Sequence, residues 1–349
     1  MPPPPSPLDD ALRALARGDA LDARMAAAAF GELIAGRGTP AQAAGLLMGL
    51  RARGETPDDL AGAVRALRAA MVRVATPDGQ AVIDTCGTGG GRVPTFNIST
   101  AAALVATAAG VLVAKHGNRS YTSRCGSADV LEALGVDIAL DAARAAAMLA
   151  DAGMTFLFAP AFHPAMRFVA PVRKELGVPT IMNLVGPLAN PAGVRRQVIG
   201  VADPDRAPVV AGALGRLGVE HALVVHAAVG MDEIAPAGET HVWEIRDSHS
   251  TEWTIDADEF GLGGGDLDAL AGGEPAENAR RIERLLHEPG EDRPGRAAVI
   301  LNAGAAIYVA GHVASLRDGI ACATAVLEEG RAASTLGRLR RPEQPSTSG

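Results

Sequence analysis

The sequence predicts an α/β protein in two parts: a small N-terminal helical domain over residues 1–75, and a large α/β domain with a mostly parallel central sheet over 76–340. Three observations predict it. Apolar residues recur at helical spacing from Leu8 to about Val74. From Ala81 onward, short β-prone runs alternate with helical ones, the pattern of strands joined by covering helices. Glycines stand where the predicted helices end, at positions whose left-handed backbone is cheap only without a Cβ. A chain of 349 residues is also too long for one minimal core.

In the helical part, Leu12, Leu15 and Ala16, then Ala44, Leu46, Leu47 and Leu50, mark apolar faces. Thr39-Pro40 and Thr56-Pro57 read as helix starts, a capping residue before a first-turn proline. Beyond Ala81 the alternating runs are Val82-Ile83, residues 100–109, 111–113, 128–134, 142–150, 154–158, 198–201, 206–217 and 222–226. Gly110, Gly135, Gly153 and Gly218 punctuate them. Residues 240–245 and 253–255 predict a later strand pair, and helices beginning near Glu277, Arg296 and Leu316 close the chain. The acidic, glycine-rich stretch 261–273 is expected to be a surface loop. The opening proline run and residues 341–349 have the composition of disordered ends.

Composition narrows the function. A net charge of −8 argues against a nucleic-acid binder that works through a broad basic surface. Apolar content of 48% is ordinary for a packed protein, but aromatics are only 3%, so alanine carries much of it and favours helix. Cys86, Cys125 and Cys322 are odd in number and form no CxxC pair, which opposes a disulfide framework or structural zinc and suits a reducing cytoplasm. The start of the chain lacks a basic-then-apolar signal pattern. Residues 101–114 form the nearest approach to a membrane span and stop at Lys115, so no membrane role is expected.

The chemistry is concentrated between Asp84 and Ser127. Asp84-Thr85-Cys86-Gly87-Thr88-Gly89-Gly90-Gly91 follows a short strand, and helix-compatible sequence resumes near Ser99. Glycines let backbone N–H groups approach phosphate oxygens, and a helix N-terminus adds partial positive charge. The run lacks the Lys-Ser/Thr ending of a nucleotide P-loop and does not match GxGxxG, so a plain glycine turn stays open beside a phosphate cradle. Asn97-Ile98-Ser99-Thr100 puts three small polar side chains at the helix start, one of them serviceable as an N-cap, the others as partners of a diphosphate or its metal. Lys115, Arg119 and Arg124 then form a cationic stretch suited to an anion, or else a solvated loop. Asp232-Glu233, in a short loop after a strand, reads either as an exposed acidic turn or as oxygen ligands for a hard cation.

Taken in order, Gly87-Thr88-Gly89-Gly90, residues 95–100, Lys115-His116-Gly117-Asn118-Arg119 and residues 126–135 resemble the anthranilate phosphoribosyltransferase family. The likeness continues through His163-Pro164-Ala165-Met166, residues 172–177, residues 183–191, Gly230-Met231-Asp232-Glu233-Ile234 and Leu301-Asn302-Ala303, covering nearly the whole chain. The resemblance implies a nucleoside phosphorylase-like phosphoribosyltransferase fold. It implies transfer of a phosphoribosyl group from 5-phosphoribosyl 1-pyrophosphate to anthranilate, with Mg²⁺, in tryptophan synthesis. By resemblance, Gly87, Gly90, Gly91, Thr95, Asn97, Ile98, Ser99 and Thr100 line the phosphoribosyl pyrophosphate site. Lys115, His116, Gly117, Asn118, Arg119, Ser120, Ser123 and Ser127 complete it. Gly87, Asn118 and Arg173 meet anthranilate, the arginine suiting its carboxylate, and Ser99, Asp232 and Glu233 hold the metal. The resemblance further implies that helices near 168–189 join the small domain, that a homodimer forms through that domain, and that the cleft between the domains closes on substrate.

The chain departs from the family where an acidic residue followed by glycine is usual. Here Gly91 and Arg92 stand, with Pro94 at a commonly small polar position and Cys125 for a usual serine. The backbone cradle is kept, one carboxylate near the diphosphate is removed, and Arg92 adds a cation. Two other readings compete. A pyrimidine nucleoside phosphorylase shares the fold and a glycine-rich phosphate loop, but residues 115–120 and 186–191 disfavour it. A non-catalytic nucleic-acid-binding relative is opposed by the net charge and by the retained Asp232-Glu233.

Overall fold

A computed structural model describes residues 6–120 and 124–340; the proline run and the tail from Arg341 lie outside them. The chain opens with α1 (Pro7–Ala16), α2 (Ala23–Ile34), α3 (Pro40–Arg53) and α4 (Pro57–Ala70). The threonines cap as their sequence requires. The Thr39 and Thr56 hydroxyls each accept the backbone N–H three residues on, both at 3.2 Å, and the Gln42 and Asp59 side chains return a bond from the cap N–H.

The α/β part follows as β1 (Val82–Gly87), α5 (Ile98–Ala108), β2 (Leu112–Gly117), α6 (Ser127–Ala133), α7 (Ala142–Ala152) and β3 (Met154–Phe158). Three short helices come next, α8 (Ala159–Phe162), α9 (Ala170–Leu176) and α10 (Met182–Leu188), then β4 (Arg196–Gly200), α11 (Ala207–Leu217) and β5 (His221–Ala227). The seven-stranded sheet has the order β3-β2-β1-β4-β5-β6-β7. Its first five strands are parallel, and β6 (Glu239–Arg246) and β7 (His249–Asp256) add antiparallel to β5. The chain therefore winds outward from β1 to β3, then returns to the other side of β1 as β4. Between β1 and β4 the winding reverses, the switch point where open α/β sheets bind ligands.

Alternation along the inner strands covers both faces of the sheet. Val198, Leu223 and Val225 join the core built with α5 and α13 (Arg293–Ala310). Ile199, Ala222 and Val224 join a second core with α4 and α11, to which Val169, Val172, Leu184 and Val185 also belong. The helical layer thus shares its core with one sheet face.

Stretch 261–273 lies at the surface, as expected, anchored by Leu270, which is fully buried and whose carbonyl accepts the Phe96 N–H at 2.9 Å. One expectation needs correction: the chain closes with four helices rather than three. After α12 (Pro275–His287), α13 and α14 (Leu316–Glu328) comes α15 (Arg331–Leu339), which buries Ala332, Thr335, Leu336 and Leu339. Its small polar residues hide a one-sided apolar pattern too short to be read alone. The four punctuating glycines do adopt positive φ, from 70° at Gly218 to 98° at Gly110.

A buried ion pair ties the two parts together. Arg206, just before α11, donates to Glu55 between α3 and α4 at 2.6 Å, and both side chains are almost wholly buried. Removing one partner strands the other, so Glu55→Gln is expected to lower stability by about 3–5 kcal/mol in urea denaturation. The Glu55→Gln, Arg206→Met double variant is expected to recover most of that loss, and failure to recover would show that the pair matters for more than its charge.

Candidate active site

The site is built on the carboxyl ends of β1 and β4. Gly87 and Gly200, their last residues, are register partners, and the Thr88 N–H donates to the Gly200 carbonyl at 2.8 Å. Over these ends lies the loop between β5 and β6, folded back by a bridge between Ala227 and Met231. Asp232 rests directly on the two glycines. A Cβ on Gly87 would stand 2.7 Å from Asp232 Oδ2, and one on Gly200 would overlap the Asp232 carbonyl. The glycine turn then bends toward Asp232, whose Oδ2 accepts the Gly89 N–H at 2.8 Å. Gly89 and Gly90 have φ of +67° and +83° and face open space; with the Gly89 N–H taken by Asp232, it is the Gly90 side of the turn that an anion can approach. At Gly91 a Cβ would lie 3.1 Å from Asp232 Oδ1, so the side chain missing here would have crowded that carboxylate.

Glu233 does what the polar residues at the start of α5 were expected to do. Asn97 occupies the N-cap without a capping side-chain bond. The helix's orphan N–H groups face the acidic loop instead, and Glu233 Oε1 accepts the Ser99 N–H at 3.1 Å while Oε2 accepts the Thr95 hydroxyl at 3.3 Å. Asn97 is turned sideways, donating to the Cys125 carbonyl at 3.2 Å and accepting from Asn278 Nδ2 at 3.0 Å. Ile98 and Thr100 are a correction. Both side chains are fully buried on the core face of α5, which leaves only their backbone to meet a ligand.

Lys115 reaches the same place from β2. The residue is only 1% exposed, and its Nζ donates to the Thr85 carbonyl and to Ser99 Oγ, the latter at 3.2 Å. Burial holds its pKa below the ordinary lysine range, opposed by the neighbouring Cys86, Asp84 and Glu233. Asp84 is the buried brace beneath it: Oδ1 accepts the His116 N–H at 3.1 Å and Oδ2 accepts Asn190 Nδ2 at 2.8 Å. Burial raises the Asp84 carboxyl to about 6 against the pull of Lys115. It also pushes the Cys86 thiol up to about 12, so Cys86 is no nucleophile. His116 turns its Nδ1 to the Gly186 carbonyl at 3.1 Å, and its ring lies 5.1 Å from that of His163. Burial drives the His116 pKa down to about 3 and that of His163 to about 4, so both imidazoles are neutral.

The remaining candidates divide. Gly117 is packed too closely against Ser127 and Phe156 to carry a side chain, and the Ser127 hydroxyl donates to the Asn118 carbonyl at 3.4 Å. The Asn118 side chain accepts the Arg119 N–H at 2.7 Å, and the Ser120 N–H donates to Asp129 at 3.2 Å. Arg119 is a second correction. Its exposed guanidinium is held by Asp129 at 2.8 Å and Glu132 at 2.6 Å, because α6 presents both carboxylates on one face. Lys115, Arg119 and Arg124 are therefore not one cationic cluster, since Lys115 is buried while the two arginines are exposed. Ser123 lies outside the described residues. Arg173 sits half-buried on α9, beside the helical layer.

The acidic pair fits a hard cation. Asp232 and Glu233 both have raised pKa values through burial, Glu233 to about 8 with the Asp232 charge as second cause. The two neighbouring carboxyl groups have Lys115 as a single nearby positive charge, and both offer oxygen donors. Among the described residues no three His, Cys, Asp or Glu side chains gather as a protein-only metal cage. Such a pair suits Mg²⁺, which keeps waters and shares phosphate ligands. Two positioning amides carry no site role in the sequence reading: Asn190, which lies inside the family-like stretch 183–191, and Asn278, whose only signal is a polar side chain at the buried face of α12.

The neutral histidines set a pH dependence. A folded-state pKa depressed from 6.5 to about 3 means that the stabilisation from His116 is complete above 6.5 and is lost as pH falls toward 3. Within that window His116 contributes a loss of about 1.4 kcal/mol per pH unit. His116→Gln is expected to unfold less steeply with acid in urea titrations across this range; an unchanged slope would contradict a buried neutral His116.

Two family models match the chain: the glycosyl transferase family helical bundle domain over residues 9–71 and its a/b domain over residues 79–333. The chain is 47% identical over 335 residues to anthranilate phosphoribosyltransferase of Roseiflexus sp. (strain RS-1), covering 95% of this chain and 97% of that one. It is 47% identical to the Thermomicrobium roseum enzyme of the same name, covering 94% and 95%. Among solved structures, anthranilate phosphoribosyltransferase from Thermus thermophilus superposes with a TM-score of 0.88 at 45% identity, covering 95% of this chain and all of that one. The Saccharomyces cerevisiae enzyme in complex with PRPP and Mg superposes with a TM-score of 0.86 at 28% identity, covering 95% and 96%. With these matches over nearly its full length, the chain belongs to the anthranilate phosphoribosyltransferase family.

Proposed function

We propose that this chain transfers the phosphoribosyl group of 5-phosphoribosyl 1-pyrophosphate to anthranilate, giving N-(5-phosphoribosyl)anthranilate and pyrophosphate in tryptophan synthesis. The observation that carries the reading is the meeting of the glycine turn, Lys115 and the Asp232-Glu233 pair at the β1–β4 switch point. The open Gly90 side of the turn and the N-terminus of α5 receive the diphosphate. Lys115 supplies the buried positive charge facing it. Ser99, Asp232 and Glu233 hold Mg²⁺, which when bound neutralises charge on the departing pyrophosphate. The C1–oxygen bond breaks, the anthranilate nitrogen bonds to C1, and the amine proton leaves to solvent. That amine is uncharged near neutral pH, so a strong base is not needed, and the neutral His116 and His163 serve as walls rather than acids. Positioning and electrostatics supply the rate.

Asn118 and Arg173 take the anthranilate carboxylate side, and the Arg173 wall closes on the Lys115 wall when both substrates are present. Helices α1–α4 with α9 and α10 act as the moving part. The enzyme works as a homodimer through this layer, where Ala27, Ala28, Gly31 and Ala66 line a shallow apolar groove between α2 and α4. A cytoplasmic setting suits its three free cysteines. No described helix is long and apolar enough to cross a membrane.

Anthranilate fluorescence gives the test. Its loss is expected to require the protein, phosphoribosyl pyrophosphate and Mg²⁺ together, and to stop with EDTA. Arg173→Ala is expected to raise the anthranilate KM roughly 10–100-fold through loss of a charged hydrogen bond. Binding of phosphoribosyl pyrophosphate without consumption of anthranilate would mean a different amine acceptor.

A further inference from the structure

Helix α13 is buried along most of its length: fourteen of its eighteen residues are buried, and thirteen of those fourteen are alanine, glycine or larger aliphatic residues. The exception is Asn302, 6% exposed. Asparagine is a poorer helix former than the alanines around it, and a buried amide without partners is costly. Here two of its three hydrogen bonds are directed at one residue, Ile234, and the third stays within the helix. Asn302 Nδ2 donates to the Ile234 carbonyl at 2.9 Å and to the Ala298 carbonyl at 2.9 Å, and Oδ1 accepts the Ile234 N–H at 3.1 Å. The side chain thus mimics a neighbouring strand, clamping both backbone groups of the residue that follows Glu233. One residue further, the Ala235 N–H donates to the fully buried Thr240 hydroxyl at 3.2 Å.

We propose that Asn302 is a positioning residue for the acidic pair, fixing the backbone behind Asp232 and Glu233 so that their carboxylates stay together over the glycine turn. The inference rests on the reading of Asp232 and Glu233 as cation ligands. Ionising both neighbouring carboxyl groups with no cation between them is costly, and a loop free to move relieves that cost by swinging one away. On the cleft side Asp232 is held by the Gly89 N–H, and Glu233 by the Ser99 N–H and the Thr95 hydroxyl, all exposed or half-buried contacts at the edge of the cleft. The clamp on Ile234 comes from the core side and is insulated from solvent, which makes it the stiff attachment. Local sequence preference is broken in α13 at the one position that faces the site, as expected when a residue is kept for function.

The test uses full-length enzyme with phosphoribosyl pyrophosphate, reading Mn²⁺ binding from the free-ion signal in electron paramagnetic resonance, beside thermal melting and the anthranilate KM. Asn302→Ala is expected to weaken Mn²⁺ binding roughly 10–100-fold, as loss of an outer support of a metal ligand does, while the anthranilate KM holds. Asn302→Ser, which retains a small hydroxyl, serves the same comparison should the alanine variant not fold. Ile300→Ala, a core truncation in the same helix, is expected to melt earlier yet bind Mn²⁺ as the unaltered enzyme does. Unchanged Mn²⁺ affinity in the folded Asn302 variant, or equal weakening in Ile300→Ala, overturns the inference while leaving the proposed reaction intact. An unaltered enzyme that binds phosphoribosyl pyrophosphate with no need of a divalent cation overturns the metal reading and the inference with it.

Discussion

Asp232 lies where two strand-end glycines leave room for it, and much of the site follows from that contact. With Gly87 and Gly200 bare, the loop between β5 and β6 drops onto the switch point of the sheet. From there its carboxylates reach the glycine turn through Gly89 and the start of α5 through Ser99. An acidic loop, a glycine turn and a helix N-terminus that are far apart in sequence become one surface. The strand ends and the winding reversal supply the place, and the absence of two side chains supplies the fit.

Charge balance is the second theme. Asp84, Lys115, Asp232 and Glu233 are gathered into one shielded region, and burial opposes the charged form of each. Without added ions the region holds three carboxyl groups against one ammonium, Glu233 staying protonated near neutral pH and the neutral His116 and His163 adding nothing. Such a site is poised for a ligand that brings both signs, a divalent cation carried with a diphosphate. Arg119 and Arg124 are kept out of this balance, the first by its carboxylate partners on α6 and the second by its exposure.

Much of the fold was legible in the sequence because the deciding signals are local. Thr-Pro helix starts, glycine helix ends and alternation of strand with helix each depend on a few neighbouring residues. For the glycine turn, Ser99, Lys115 and Asp232-Glu233 the local signal left a bland alternative open, and their site roles were implied only by the resemblance of the ordered motifs to a family. What the sequence hid depends on distant contacts. That Glu233 rather than Asn97 caps α5, that Arg119 pairs with α6, and that Leu270 is buried behind Phe96 all require the tertiary packing. Asn278 acts through the side chain of Asn97 and Asn302 through the backbone of Ile234, both distant in the chain, so neither role can be read from neighbouring residues.

The claim that the bare strand ends seat the acidic loop is tested most directly at Gly200. A calorimetric titration of phosphoribosyl pyrophosphate, with and without Mg²⁺, would compare the enzyme with Gly200→Ala. The added Cβ must displace the Asp232 backbone, so the variant is predicted to remain folded and to lose the Mg²⁺-dependent part of its binding. Binding by Gly200→Ala equal to that of the unaltered enzyme, with the same response to Mg²⁺, would contradict the account.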